Sequence, residues 1–543
     1  MTPVLRFITR RAILTATDRV VTSPLVRWTW TGPANEDLSQ ALVEFRPTDR
    51  ESILEMIEGR YLLASKLVDT HGDSPFSVDV DHEDWIEELE SFSWLRHFRD
   101  ARTDEERLFA RHLALDWIDR EGRFSRRSWA PSLTARRVLN WLRHQHILFD
   151  GAPADELAAI SRSLGTQIAS LKLRSALLTD PVDQVLVAIA LAGVAICADK
   201  GNDEVPSRLR RVQALLAQQL DADALHKSRS ARIQVLLLVE LITIALALRR
   251  HYEQFAASFA QITERMQKAL DAVSLGTGEP GYFNGTGQMP HDIIVAVQAQ
   301  SAARARSTSI SSGYGRLVSG RAIVVADSGI VPPPEFAGES HASALAFEFS
   351  HGRDLIVANC GPAPPHFDDP ALFRQGIAHS TITLNAMSAA ALPTRGALNG
   401  RLVQVGKLPA IQTLEGEDSL VMRCFGYVER FGITIERHLT LLPEGKTLVG
   451  QDKFIRTRPR ASGAATIRFH LASGTDVEQG EDLVRLRLNS GALWTFLWEG
   501  AEMRIEDSVR QSSYFGFQRT KQIVLEGHAA ETPEISWVFS LND

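Results

Sequence analysis

Three groups of side chains in this sequence are of types, and at spacings, that could do chemistry. The first is His226 and Arg229 in DALHKSRS, just ahead of a strongly apolar run that reads as a helix. A helix N-terminus adds a positive field, so His226 could exchange a proton with a substrate while Arg229 grips an anion in a forked contact. The same stretch reads as a solvated cap if Ser228 or Ser230 closes the helix. The second group is Tyr282 and Asn284 in GTGEPGYFNGTG, where five glycines mark a long ordered turn or surface loop. Tyr282 could project into a cleft or simply pack, and Asn284 could meet a ligand or turn the chain. Gly276, Gly278 and Gly281 match GxGxxG, but the segment follows a helix instead of a strand, which argues against a dinucleotide site and any nucleotide cofactor. The third group is His341, Asn359 and His379. Ala344–Ser350 and Ser380–Leu384 alternate like half-buried strands and Leu355–Ala358 is a short apolar run, so three adjacent strands would bring these ligand-type side chains towards one sheet edge.

The elements that must position them fall into two regimes. From about Ile53 to Ala303 apolar residues recur every three or four positions, predicting helices over Glu83–His97, Glu105–Asp119, Ser132–Ile147, Ala154–Ser175, Pro181–Ala198, Pro206–Leu220, Ser228–Arg249 and Glu253–Ala272. Long helices joined by short turns argue for stacked helical hairpins, and periodicity does not decide whether the stack closes. From Ser311 onward short alternating runs separated by Gly, Pro, Asp and Asn predict an all-β sandwich, with RARSTSISS as the linker. The first 50 residues read as an irregular or partly helical arm. His351, His366, His438 and His470 lie in or beside predicted strands and read as structural groups.

Whole-chain properties narrow the function classes. At 543 residues the chain exceeds one core. With a net charge of −7, nothing global favours nucleic acid or an anionic membrane. Three scattered cysteines encode neither a disulfide framework nor a zinc ribbon. The apolar runs Val185–Ala198 and Ile233–Leu248 read as buried core helices rather than transmembrane segments, and the basic N-terminus lacks the apolar core and cleavage site of a secretory signal.

GYGRLVSGRAIVVADSG, HASALAFEFSHGRDLIVANCG, AHSTITL and IRFHL resemble the heparinase II/III family of polysaccharide lyases, and SWAPSLTARRVLNWL, DALHKSRS and the FNG of GYFNG agree upstream. The resemblance implies a multidomain α+β chain: an arm (1–50), an α/α toroid or incomplete helical barrel (51–303), a linker (304–312) and an antiparallel β-sandwich (313–543), with a glycan cleft between the domains. It implies β-elimination on an acidic, uronic-acid-containing polysaccharide or oligosaccharide, with Tyr282 as base and acid, His226 as its partner, and Arg229 and Asn284 on the substrate. It further implies one zinc ion on His341, Asn359 and His379, where Asn359 stands at a position expected to be aspartate. Family members are commonly periplasmic. Two other classes remain open. A glycoside hydrolase needs paired carboxylates, for which Glu279, Asp221 and Asp223 are available, and a non-catalytic glycan-binding or envelope-assembly protein would keep the fold without the chemistry.

Overall fold

The helical periodicity of the first half is realised closely: Asp104–Glu121, Pro131–Arg143, Ala154–Arg174, Pro181–Cys197, Glu204–Gln219, Ala231–Leu248 and Glu253–Ala272 are all α-helices. The computed structural model describes residues 3–30, 38–198, 204–249, 252–305, 307–363, 367–414, 418–512 and 516–542; His366 lies outside them. The predicted helix Glu83–His97 is instead two pieces. It stops at Glu90, Phe92 takes a left-handed φ of 60°, and a tighter 3₁₀ stretch runs from Ser93 to Asp100. That turn buries Phe92 completely among aromatic rings, the packing gain that offsets its backbone strain.

The chain divides into two compact units. One comprises Met1–Leu220, Val235–Glu264 and Pro290–Ala302; the other comprises Asp221–Gln234, Arg265–Met289 and Ala303–Asp543. In the first, Pro131–Arg143 packs on Ala154–Arg174 and Pro181–Cys197, and the latter packs on Glu204–Gln219. Asp180 starts Pro181–Cys197 by accepting from the amides of Val182 and Asp183, with Pro181 at the position where no amide is needed. The core gathers Trp94, Trp117, Trp129 and Trp141 around Phe92. The polar residues of SWAPSLTARRVLNWL serve this core. The fully buried Arg137 guanidinium lies 4.0 Å over Trp117 and donates to Gln167 Oε1, Glu90 O and Ser128 O, while Asn140 donates to Ser91 O at 2.7 Å. Among the described residues one helix, Ala231–Leu248, is long and apolar enough to cross a membrane, and 78% of it is buried. A hairpin, β1 (Arg60–Leu63) and β2 (Lys66–Asp69), completes this unit.

The second unit is built on two antiparallel sheets. The strands of one are β3 (Ser309–Ser311), β4 (Tyr314–Ser319), β5 (Ala322–Asp327), β6 (Phe347–His351), β7 (Asp354–Ala358), β8 (Ile382–Leu384), β13 (Ala464–Leu471), β17 (Glu502–Ser512) and β18 (Gly516–His528). The other contains β9 (Ala410–Thr413), β10 (Ser419–Cys424), β11 (Ile433–Leu441), β12 (Thr447–Arg456), β14 (Asp476–Gln479), β15 (Val484–Arg487), β16 (Leu493–Glu499) and β19 (Glu534–Leu541). The first sheet runs β17-β18-β13-β7-β6-β5-β4-β3, with β8 paired to β13; the second runs β14-β15-β16-β19-β12-β11-β10-β9. Along β12 buried and part-exposed residues alternate strictly through Phe454, as one packed face requires. Phe347, Phe469, Phe496 and Trp537 fill the core. Within it a forked ion pair joins Arg437 to Asp452 (2.6 and 2.8 Å), and Trp537 Nε1 donates to the same carboxylate.

This topology revises the expectation of three adjacent strands behind the histidines. β6 and β7 pair, but β8 reaches them only through β13. His341 precedes β6 in a loop, Asn359 follows β7 directly and His379 ends a 3₁₀ turn before β8.

Candidate active site

All seven sequence-predicted site residues lie in the second unit. The DALHKSRS segment is a tight buried turn rather than a solvated cap: His226, Ser228, Arg229 and Ser230 are all at most 5% exposed. The helix begins at Ala231, and the amide of Ala231 is capped by Thr286 Oγ1 of the glycine loop at 3.0 Å. His226 is held through its own amide on Gln234 Oε1 (2.9 Å), and its Nδ1 contacts Ser228 Oγ (2.8 Å) and receives the Ser228 amide (3.2 Å). That leaves Nε2 as the protonated nitrogen. Burial, and secondarily Lys227, lowers the His226 pKa to about 3, so the imidazole is neutral at physiological pH.

Arg229 engages all three of its guanidinium nitrogens within the protein. It sits in the left-handed region (φ 61°), and its guanidinium donates to Asp327 Oδ1 (2.7 Å), Ile330 O (2.8 Å) and Ser312 O (3.0 Å) while stacking 4.2 Å over Tyr314. Asn284 is likewise committed. It donates to Tyr314 Oη (2.7 Å) and accepts the His341 amide (3.1 Å). Asp327 takes the remaining partners, from Ser343 Oγ (2.7 Å) and the Gly329 amide (2.8 Å). The two residues expected on the substrate are therefore struts that tie the DALHKSRS turn, the glycine loop and the His341 loop together. Asp221 and Asp223, available to a hydrolase in principle, accept from backbone amides of Leu225 and Ser312.

The glycines of GTGEPGYFNGTG are there for close approach. A Cβ on Gly276 would stand 2.1 Å from Gly352 O, and the Gly276 amide donates to Ser350 Oγ at 2.9 Å, so the loop presses directly on the β6–β7 turn. Tyr282 is 1% exposed. Its hydroxyl donates to Gln288 Oε1 (2.9 Å), its amide donates to Glu348 Oε2 (3.1 Å), and the Arg510 guanidinium lies 4.1 Å over its ring. Burial pushes the phenol up to about 12, against the pull of Arg510.

Glu348, Asp327, Tyr314 and Arg510 are the residues that motif reading passed over. Glu348 is fully buried and accepts both the Tyr282 amide and the Asn359 amide (2.7 Å), bridging the glycine loop to the histidine loops. Burial raises its pKa to about 7, opposed by Arg510 and by these two amides. An acid in the middle of the apolar run AFEFS was the available signal.

His341 and His379 do come together. His379 Nδ1 donates to Gln375 O (2.8 Å), so its Nε2 accepts from His341 Nδ1 at 3.0 Å. Burial lowers both pKa values, His379 to about 4. Asn359 Oδ1 accepts the Ser380 amide (2.8 Å), while Nδ2 is buried without a partner. These residues do not fit a zinc centre. The two imidazole nitrogens satisfy one another, the third position presents an amide with an orphan N–H donor, and the carboxylate Asp327 is held by Arg229. A buried dication with no anionic ligand would carry its full desolvation cost. A small pocket is lined by His341, Ser343, Ala389, Leu402 and Gln404.

Residues 304–538 match the family model described as heparinase II/III-like, C-terminal. A curated relative, the FtsZ-localized protein C of Caulobacter vibrioides, is 26% identical over 361 residues, 66% of this chain; the match spans 62% of that relative, less than two thirds of its length. Among solved structures, heparinase III superposes over 99% of this chain and 92% of its own with a TM-score of 0.67 at 11% identity. The heparan sulfate lyase HepC of Pedobacter heparinus, in a mutant form, does so over 98% and 88%, with a TM-score of 0.60 at 14% identity. These likenesses show the fold, a helical toroid followed by an antiparallel β-sandwich. The family likeness is carried by residues 304–538, which resemble the C-terminal domain of heparinase II/III-like proteins.

Proposed function

We propose that this protein is a polysaccharide lyase that cleaves a uronic-acid-containing glycan by β-elimination. The observation that carries the reading is Tyr282, a phenol fixed on a loop that cannot move back, beneath a guanidinium and tied through Glu348 to the histidine loops of a heparinase II/III-like domain. The C5 proton of a uronate is α to a carboxylate and too weakly acidic to leave unless charge on that carboxylate is stabilised. Tyr282 as phenolate takes this proton, the C5–H electrons form the C4=C5 double bond as the C4–O bond breaks, and the phenol returns the proton to the leaving oxygen. His226, neutral and held by Gln234 and Ser228, is the partner of Tyr282 at the reacting sugar. Arg229 and Asn284 act as positioning residues through Asp327 and Tyr314, and His341 and His379 brace the wall. No step is routed through a metal.

Purified protein incubated with a panel of acidic polysaccharides tests this by near-ultraviolet absorbance of unsaturated uronides. Elimination that Tyr282→Phe abolishes supports the lyase; absence of any rise with every polymer sinks it. The second reading, a glycan-binding protein without turnover, is favoured by the 1% exposure of both His226 and Tyr282. Retention of a polymer without elimination is its expected outcome.

A further inference from the structure

The region around Tyr282 contains a cation, Arg510, whose side chain forms no ion pair among the described residues, although its charge lowers the pKa of the buried Glu348 carboxyl. Arg510 is on β17, beside the glycine loop: the next residue, Gln511, accepts the Gln288 amide (2.9 Å) and donates its own amide to Cys360 O (2.8 Å). Every other arginine of this site has a structural task. Arg229 pairs with Asp327, and Arg374 donates to Ser340 O and Gly400 O. Arg510 has none of these. It is half-buried, its Nε is shielded from water without a hydrogen-bond partner, and among the described residues no carboxylate lies within ion-pair distance of it. Its guanidinium stacks 4.1 Å over the Tyr282 ring. A shielded Nε–H without an acceptor is costly to keep unless a ligand completes it. The fork of parallel N–H groups matches a carboxylate in particular.

Resting on the lyase reading for its substrate class, we propose that Arg510 is the carboxylate-binding residue of the site, holding the uronate carboxylate of the sugar that presents its C5 proton to Tyr282. Stacking on Tyr282 sets the distance between the group that binds the carboxylate and the group that takes the adjacent proton. The negative charge that spreads onto the carboxylate as C5–H breaks is met by the guanidinium, and no proton passes through Arg510.

Binding and turnover are measured separately, with alginate, hyaluronan and heparan sulfate, each also in carboxyl-reduced form. Calorimetry on the wild-type chain is expected to show at least tenfold tighter binding of an acidic polymer than of its reduced counterpart. Arg510→Ala should erase that preference while leaving affinity for the reduced polymer unchanged; Arg510→Lys, which keeps the charge but not the fork, should restore part of it. An unchanged melting temperature for Arg510→Lys guards against loss of fold. A wild type that does not discriminate acidic from reduced polymer, or that binds neither, overturns the proposal, as does undiminished discrimination by Arg510→Ala. Arg510-dependent binding with no ultraviolet signal overturns the lyase reading alone. Elimination with discrimination unaffected by Arg510→Ala overturns Arg510 alone.

Discussion

At the scale of single residues, burial sets what each group can do. Tyr282 keeps its proton through the neutral range because its phenol is pushed up to about 12. If the phenolate is the base, log(kcat/KM) should climb with pH at a slope of about one from neutral towards alkaline pH, because the reactive fraction rises with each unit. Tyr282→Phe should lower the rate by about 10³-fold, within the span general acid–base groups supply; initial rates over a pH series check both. Arg229 makes a different prediction because its fork is spent inside the protein. Arg229→Ala leaves Asp327 buried without its counter-ion, and should cost about 3–5 kcal/mol of unfolding free energy, read by urea denaturation. Loss of activity with unchanged stability would instead return Arg229 to the substrate.

At the scale of elements, the glycine loop and the histidine loops succeed or fail together. Gly276→Ala drives a methyl group against Gly352 O, a backbone atom that cannot step aside, so the loop must lift from the β6–β7 turn. We expect a loss of about 1–3 kcal/mol in stability, by the cost of overpacking, together with loss of turnover through Tyr282, checked by thermal melting and by rate. Asn359→Asp should turn a poor donor set into a carboxylate beside two imidazoles. Metal analysis after equilibration with zinc should find more zinc retained by this variant than by wild type; equal retention by both would mean that the native pair already binds the ion.

For the whole molecule, the buried neutral histidines set the acid limit of stability. His144, beside Glu44, and His226 are both lowered to about 3, chiefly by burial. In the unfolded chain they titrate near 6.5, so between the two values the unfolded state binds more protons than the native one. Their contribution is fully present above about pH 6.5 and declines below it, by roughly 2 kcal/mol per group at pH 5. Urea midpoints at pH 7.5 and pH 5 should differ accordingly. A midpoint independent of pH over that range would mean that these rings are hydrated and charged.

Local pattern alone determined the helical and β halves, because side-chain period follows backbone period: Glu253–Ala272 and Ile433–Leu441 coincide with the elements observed. The approach of two ligand-type side chains was also legible by type: His341 and His379 do meet. The partners of the other candidate residues were not. Nothing in the local sequence marks that Arg229 finds Asp327 98 residues away, that Asn284 joins Tyr314, or that Glu348 bridges Tyr282 to Asn359. Nor does an arginine in an ordinary strand reveal that it lies over a phenol more than two hundred positions earlier. Which polar groups are spent on the fold and which remain for a ligand depends on contacts made only when distant segments pack. Hydrogen-bond capacity is finite, and only the tertiary structure allocates it.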